Sequence, residues 1–315
     1  MARELKLIAG NSNPELAREI SIHLGVPICE AEIGRFPDSE TSVHIKETVR
    51  GADVFIIQST SAPVNEHLME LLLLIDALKR ASAERVTAVI PYYGYARQDR
   101  KQIGRVPISA KLIANLIEAA GAGRVLTLDL PAGQIQGFFD IPVDNLRADP
   151  IFADYLSKQA LSETVIVSPD VGSAKRGETV AERLNLPLAI VEKSRVSAKE
   201  VKARKVIGDV EGKKAIIIDD IVSTGATLTE ATRLLLENGA REVYAACTHG
   251  VFAGDALERI EESPLRKLVV TNTIKPPDRI QNHCKVEWIS VGKLFADIIR
   301  RIHEGRSVSE LFPHY

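Results

Sequence analysis

The sequence predicts an α/β protein built from two related units, each a mainly parallel sheet flanked by helices. Three observations carry this. Short β-branched runs alternate with helical patterns along all 315 residues, an alternation that builds parallel sheets covered on both faces. The length suits about two domains. The halves also echo each other: Leu24-Gly25-Val26-Pro27-Ile28 closes the first helical pattern as Leu184-Asn185-Leu186-Pro187-Leu188 closes its counterpart.

Taken in order, strand 5–9 leads through a loop into helix 14–24, and strand 165–168 leads likewise into helix 177–184. Strand 54–58, helix 65–81 and strand 86–90 have counterparts in strand 215–219, helix 228–238 and strand 243–248. The richest apolar stretch, 68–78, contains Glu70 and Asp76. It is too short and too charged to span a bilayer and reads as a core helix. Helix 109–120 and strand 125–130 complete the first set, and helix 150–159 opens the second. Strands 188–192, 268–271 and 286–290 follow, with a last helix at 292–304 that is a candidate to pack back on the first unit. Pro142 and Pro150 bracket a polar stretch, so the seam is expected near 144–150 and the domains at 1–146 and 147–315.

Apolar residues make up 45% of the chain, enough for each half to bury its own core. The 40 basic and 42 acidic residues leave a net charge of −2. That argues against nucleic acid as a partner but leaves room for local clusters that bind small anions. Cys29, Cys247 and Cys284 are too few and too scattered for a zinc site or a disulfide framework, so a reducing cytoplasm is the expected compartment. Residues 1–10 carry Arg3, Glu4 and Lys6 and lack the apolar run of a signal peptide; no membrane partner is expected.

The strongest chemical signal is Ile216-Ile217-Ile218-Asp219-Asp220-Ile221-Val222-Ser223-Thr224-Gly225-Ala226-Thr227-Leu228. A buried strand is expected to end in two acids, followed by a short loop and a helix. Gly225 lets the backbone approach a ligand closely, and N–H groups at a helix N-terminus attract phosphate. Ser223, Thr224 and Thr227 add hydroxyl donors. Asp219 and Asp220 can accept hydrogen bonds from vicinal ribose hydroxyls, directly or through a magnesium-bound water. A Walker A loop is excluded, because no Gly-Lys-Ser/Thr follows the glycine. The plain alternative is an acidic, Ser/Thr-capped helix entry without a ligand. The matching position in the first half reads Gln58-Ser59-Thr60-Ser61-Ala62-Pro63, without carboxylates or glycine. A sugar phosphate is therefore expected in the second half.

This loop resembles the ribose-phosphate signature of the type I phosphoribosyltransferases. Further segments narrow the likeness: Ala9-Gly10-Asn11-Ser12-Asn13-Pro14, Phe36-Pro37-Asp38-Ser39-Glu40, the run Pro91-Tyr92-Tyr93-Gly94-Tyr95-Ala96-Arg97-Gln98-Asp99-Arg100-Lys101, residues 134–145, and Ser307-Val308-Ser309-Glu310-Leu311-Phe312. Together they are similar to ribose-phosphate pyrophosphokinase (PRPP synthetase) over essentially the whole chain. The resemblance implies two phosphoribosyltransferase-like domains and transfer of pyrophosphate from Mg-ATP to the 1-hydroxyl of ribose 5-phosphate, giving PRPP and AMP. It implies Mg2+ as cofactor and a homohexamer or other dimer-based homo-oligomer. Lys193 and Arg195 match catalytic positions, and Arg195 also a sugar-phosphate contact. Arg97 and Gln98 match ATP contacts, and Asp38, Ser39 and Glu40 an adenine segment supplied by a neighbouring subunit. Asp170 matches a magnesium-associated aspartate. Asp219, Asp220, Ser223, Thr224, Gly225, Ala226 and Thr227 match the ribose-5-phosphate loop.

Without the resemblance these residues read more plainly. Lys193 and Arg195 fit a solvated loop, Asp170 a turn or helix cap, and 36–40 an ordinary turn. Residues 97–101 fit a surface ion-pair cluster, and Tyr92, Tyr93 and Tyr95 a packed loop. Lys199, Lys202, Arg204 and Lys205 fit a solvated loop or a lid over polyphosphate. The chain also departs from the family. It has Asp129-Leu130-Pro131-Ala132 where the family has Asp-Leu-His-Ala, so Pro131 occupies the position of a metal-contacting histidine. Asp129 and Gln134 are candidates to compensate. Ser39 and Ser173 stand where glycine is common, which argues against positive φ there, and Ser194 stands where arginine is common. These departures admit a second reading, a weakly active or non-catalytic regulatory subunit. A PRPP-consuming transferase is a third, disfavoured by the Arg97-Gln98 motif and the duplicated first half.

Overall fold

The computed structural model describes residues 3–194, 203–277 and 284–311. Their contacts divide them into two units, one from 1–146, 273–275 and 290–315, the other from 147–272 and 276–289.

The first unit is built on β1 (Leu5–Ala9), β4 (Asp53–Ile57), β5 (Arg85–Ile90), β6 (Arg124–Leu128) and β7 (Val143–Leu146), side by side in that order and all parallel. α2 (Val64–Arg80) and α3 (Ser109–Ala120) cover one face. Ile8, Val54, Ile56, Leu71, Ile75, Ile90 and Ile113 form the core there. α1 (Pro14–Leu24) packs with the last helix, α8 (Gly292–His303), and buries Leu16, Ile20, Phe295 and Ile299. A separate hairpin, β2 (Ala31–Arg35) with β3 (Thr41–Ile45), stands off the sheet.

The second unit carries a seven-stranded sheet in the order β10 (Ala203–Ile207), β9 (Leu188–Ser194), β8 (Thr164–Ser168), β11 (Lys214–Val222), β12 (Glu242–Gly250), β13 (Lys267–Thr271) and β14 (Val286–Ile289). Only β10 runs antiparallel, against β9. Its helices are α4 (Asp149–Leu156), α5 (Ala174–Leu184), α6 (Ala226–Glu237) and α7 (Ala256–Glu262). Ala215, Ile217, Leu235, Val243 and Leu268 lie in its core.

The duplication is visible in the topology. The order β8-β11-β12-β13-β14 repeats β1-β4-β5-β6-β7. The echoed motifs do the same work in both units: α1 ends on Gly25 and α5 on Asn185, each in the left-handed conformation that terminates a helix. The chain then turns back so that Leu188 pairs with Ile166, and Ile28 bridges Leu7.

Every expected strand and helix forms, with ends shifted by a few residues. Two expectations are corrected. β11 does not stop at Asp219 but runs on to Val222, paired with Gly250. Ser39 does have positive φ, 76°, because its N–H donates to Phe36 O while Phe36 N–H donates to Glu40 O, closing a tight hairpin turn. Ser173, at φ −93°, keeps an ordinary backbone. No helix among the described residues is long and apolar enough to cross a membrane.

Candidate active site

In the second unit the two acids sit within a paired strand, Asp219 opposite Cys247. Only Ser223, Thr224 and Gly225 separate β11 from α6. Val251 N–H donates to Val222 O and Ala253 N–H to Ser223 O, both at 2.9 Å, so the turn is held from β12. Gly225 has φ 75°, and a Cβ there would lie 3.3 Å from Ala256 O. Glycine is thus favoured by its left-handed conformation, and a side chain there would also press on Ala256 O. Thr229 N–H makes the first helical bond, to Gly225 O at 3.0 Å. The N–H groups of Ala226, Thr227 and Leu228 precede it, outside the helical ladder. Thr224 and Thr227 are exposed beside them.

Burial and the neighbouring Asp220 charge raise the Asp219 carboxyl well above its ordinary pKa; Asp220 N–H, donating to Asp219 Oδ1 at 2.9 Å, and Arg176 offset this only in part. Arg176 Nη1 lies 3.7 Å from Asp220 Oδ1. Sequence reasoning missed Arg176. Its signal was Ser173-Ala174-Lys175-Arg176, the first turn of the helix that follows the Asp170 loop. The Cys247 thiol is fully buried, and burial and the two acids push its pKa up, so it stays protonated and inert.

Asp170 caps α5. Its Oδ1 accepts Ser173 N–H at 2.9 Å and the Ser173 hydroxyl at 3.1 Å. Lys193 belongs to β9 and pairs with Arg204 of β10. The side chain of Lys193 and the whole of Arg195, Lys199, Lys202 and Phe312 lie outside the described residues. Lys205 is exposed.

In the first unit Asp38, Ser39 and Glu40 form the exposed tip of the β2–β3 hairpin, with Phe36 55% exposed beside them. Arg97 and Gln98 lie exposed in the loop after β5 and line a cavity of 510 Å³ with Tyr95, Arg100 and Ile103. Gln98 is anchored at both ends: Ala110 N–H donates to its carbonyl at 3.2 Å, and the Ser109 hydroxyl to its side chain. Tyr93 is a packing residue, 3% exposed, with its hydroxyl on Ala110 O at 3.0 Å. Pro131 is exposed at the turn before a 3-10 helix, Gly133–Phe138. Of its candidate substitutes, Asp129 is buried with φ 47°, and Gln134 Nε2 donates to Asp99 Oδ2 at 3.0 Å. No group of three or more His, Cys, Asp or Glu among the described residues is arranged to hold a metal ion.

In the first unit the loop after β1 is tied to α2 and to the end of β4. Glu70 accepts Asn11 N–H at 2.6 Å and Gln58 Nε2 at 2.8 Å, and Gln58 Oε1 accepts Ser12 N–H at 3.0 Å.

A duplicated parallel α/β unit, one copy ending in paired acids above a glycine-gated helix N-terminus, defines a protein of the phosphoribosyltransferase-like class. The N-terminal domain of ribose phosphate pyrophosphokinase matches residues 5–121, and the phosphoribosyl synthetase-associated domain matches residues 191–313. The ribose-phosphate pyrophosphokinase of Caldanaerobacter subterraneus subsp. tengcongensis is 56% identical over 98% of each chain. That of Bacillus subtilis is 53% identical, again over 98% of each. The crystal structure of phosphoribosylpyrophosphate synthetase from Mycobacterium smegmatis superposes with a TM-score of 0.89 at 42% identity, covering 96% of this chain and all of that one. The chain belongs to the ribose-phosphate pyrophosphokinase family and is an enzyme of that type. A regulatory subunit without activity is not favoured.

Proposed function

We propose that this enzyme makes PRPP by direct pyrophosphoryl transfer from Mg-ATP to ribose 5-phosphate. The observation that carries this reading is the β11–α6 junction, where Asp219 and Asp220 precede unladdered helix N–H groups behind Gly225. The 5-phosphate takes the N–H groups of 226–228 and the hydroxyls of Ser223, Thr224 and Thr227, while Asp219 and Asp220 receive the vicinal ribose hydroxyls. Arg97 and Gln98 contact ATP, and Asp38, Ser39 and Glu40 serve the adenine of a neighbouring subunit, which makes the working form a homo-oligomer. The first domain thus handles ATP and the second ribose 5-phosphate. The cytoplasm, where both substrates occur, is the proposed compartment.

The ribose 1-hydroxyl attacks the β-phosphorus; the bond from that phosphorus to the oxygen bridging it to the α-phosphorus breaks, and AMP leaves. Lys193 supplies a mobile point charge and Arg195 a planar fork to the phosphate oxygens as charge spreads over them. Asp170, Asp219 and Asp220 are hard oxygen donors that fit magnesium, and the repulsion that raises Asp219 is of the kind a cation relieves. When bound, magnesium would neutralise polyphosphate charge. Arg176 holds Asp220 in place.

An assay with ATP, ribose 5-phosphate and magnesium is expected to yield AMP and PRPP in equal amounts. ADP as product would overturn the mechanism. Lys193→Ala is expected to lower kcat by roughly 10²–10³, the loss typical of a preorganised charge donor, and an unchanged kcat would remove it from the mechanism.

A further inference from the structure

We propose that the second unit holds another ligand site, for a small planar aromatic anion, at the end of its sheet remote from the 219–227 loop. Strand register sets its place. Ile216, Tyr244 and Lys267 stand in one row across β11, β12 and β13, and Val269 pairs with Glu287 of β14. Side chains alternate along a strand. These residues and Lys214 therefore share the sheet face opposite Ala215, Ile217, Val243 and Leu268 of the core. α4 closes the side with Tyr155 and Leu156, leaving a cavity of 510 Å³, a volume within the usual range of small-molecule sites. Lys214 begins β11 and Asp219 lies further along it, about 17 Å away at the rise of a strand.

The lining selects the ligand. Leu156, Ile216 and Val269 are buried and make an apolar floor. Tyr155 and Tyr244 offer ring faces at its sides. The Tyr155 phenol bonds to Glu287; burial and that carboxylate push its pKa up to about 12, so it stays neutral. Three cations, Lys214, Arg266 and Lys267, face one lining carboxylate, Glu287. Lys214 is committed to Ala160 O at 2.9 Å and to the Tyr244 ring, 5.4 Å from its centroid. Lys267 is committed to Glu287 at 2.5 Å. Arg266 is exposed and enters no ion pair among the described residues. The cavity thus presents an apolar slot lined by two tyrosines, with a guanidinium that enters no ion pair among the described residues at its rim. A planar ring fits the slot, and a phosphate or carboxylate on it meets the Arg266 fork.

The site stands apart from the transfer chemistry and is tested without it. Trp288, next to Glu287 on β14, turns to the opposite face and packs on Phe252 in the core, so binding is read by isothermal titration calorimetry rather than by fluorescence. Titration of the full-length protein with phenyl phosphate is expected to give a saturable change. Arg266→Ala is expected to raise the dissociation constant at least about tenfold, the loss of one charge-assisted contact. Asp219→Asn, at the far end of β11, is expected to leave it within about twofold. Inorganic phosphate, lacking the ring, is expected to compete weakly. No saturable change at millimolar phenyl phosphate would overturn the proposal. Equal affinity in Arg266→Ala would do the same. So would an Arg266→Ala protein that sediments as a smaller species, because the cavity would then be a subunit contact.

Discussion

Asp219 shows most directly how one residue sets function against stability. Its carboxyl pKa is raised because it is buried beside Asp220. An acid raised on folding contributes stability that is complete below the ordinary carboxylate range and is lost as pH rises through its folded value. Asp219→Asn removes the charge at nearly constant shape. The variant is expected to melt higher than the wild type at pH 8, with a gap that closes toward pH 4. Turnover is expected to fall by about 100-fold or more if the carboxylate holds the ribose hydroxyls. A gap that widens toward pH 4 would contradict the assigned shift. Pro131 is the second instructive residue. It is exposed and lacks a metal-binding group, so Pro131→His is expected to lower the magnesium concentration for half-maximal rate severalfold. An unchanged requirement would show that other donors, such as Gln134, already complete the site. Ser39 limits what a residue type tells: its side chain argued for negative φ, yet the hairpin's backbone bonds hold it at 76°.

At the scale of elements, Asp170 has a duty in the turn before α5 and a proposed one toward magnesium, and the two are separable. Its Oδ1 satisfies Ser173 N–H in the turn before α5, a role worth about 1 kcal/mol. Asp170→Ser keeps a capping oxygen but removes the charge. It is expected to retain the wild-type melting temperature and to need more magnesium, whereas Asp170→Ala is expected to lose both. If the two variants have the same magnesium requirement as wild type, Asp170 is a cap alone. The elements absent from the sequence reading were β2, β3, β7, β10 and α7. β2 and β3 bury no residue fully, and their apolar alternation spans only Ala31 and Ile33 in one and Val43 and Ile45 in the other, too short to stand out. β7 is four residues long with polar Asp144 and Asn145 at its centre. β10 pairs only with β9, and its lysine and arginine hid a strand inside what reads as a basic loop. α7 spans two turns, too short for a helical period to emerge.

At the scale of the whole molecule, the first unit is closed by the chain's last helix. Asp53 at the start of β4 is buried completely; Arg85 of β5 pairs with it, and His303 Nδ1 of α8 lies 2.8 Å from its Oδ2. Arg300 Nη2 donates to His23 O at 2.9 Å, and Ser290 bonds to Glu19 of α1. His303→Ala leaves part of a buried carboxylate unsatisfied and is expected to cost about 2 kcal/mol, read as a lower midpoint in urea at unchanged slope. An unchanged midpoint would show that Arg85 alone satisfies Asp53.

By itself the sequence determined the α/β class, the duplication, every long strand and helix, and the loop proposed to hold the sugar phosphate. Each rests on local signals: periodicity, a left-handed helix end at Gly25 or Asn185, a glycine before a helix. The tertiary structure decided the rest because those facts depend on neighbours distant in the chain. Cys247 and Gly250 on β12 keep β11 extended to Val222 and so place both acids inside a strand. Arg176 joins Asp220 only because α5 packs beside β11. Glu70 of α2 reaches Asn11 and Gln58 and so ties the loop after β1 to the end of β4.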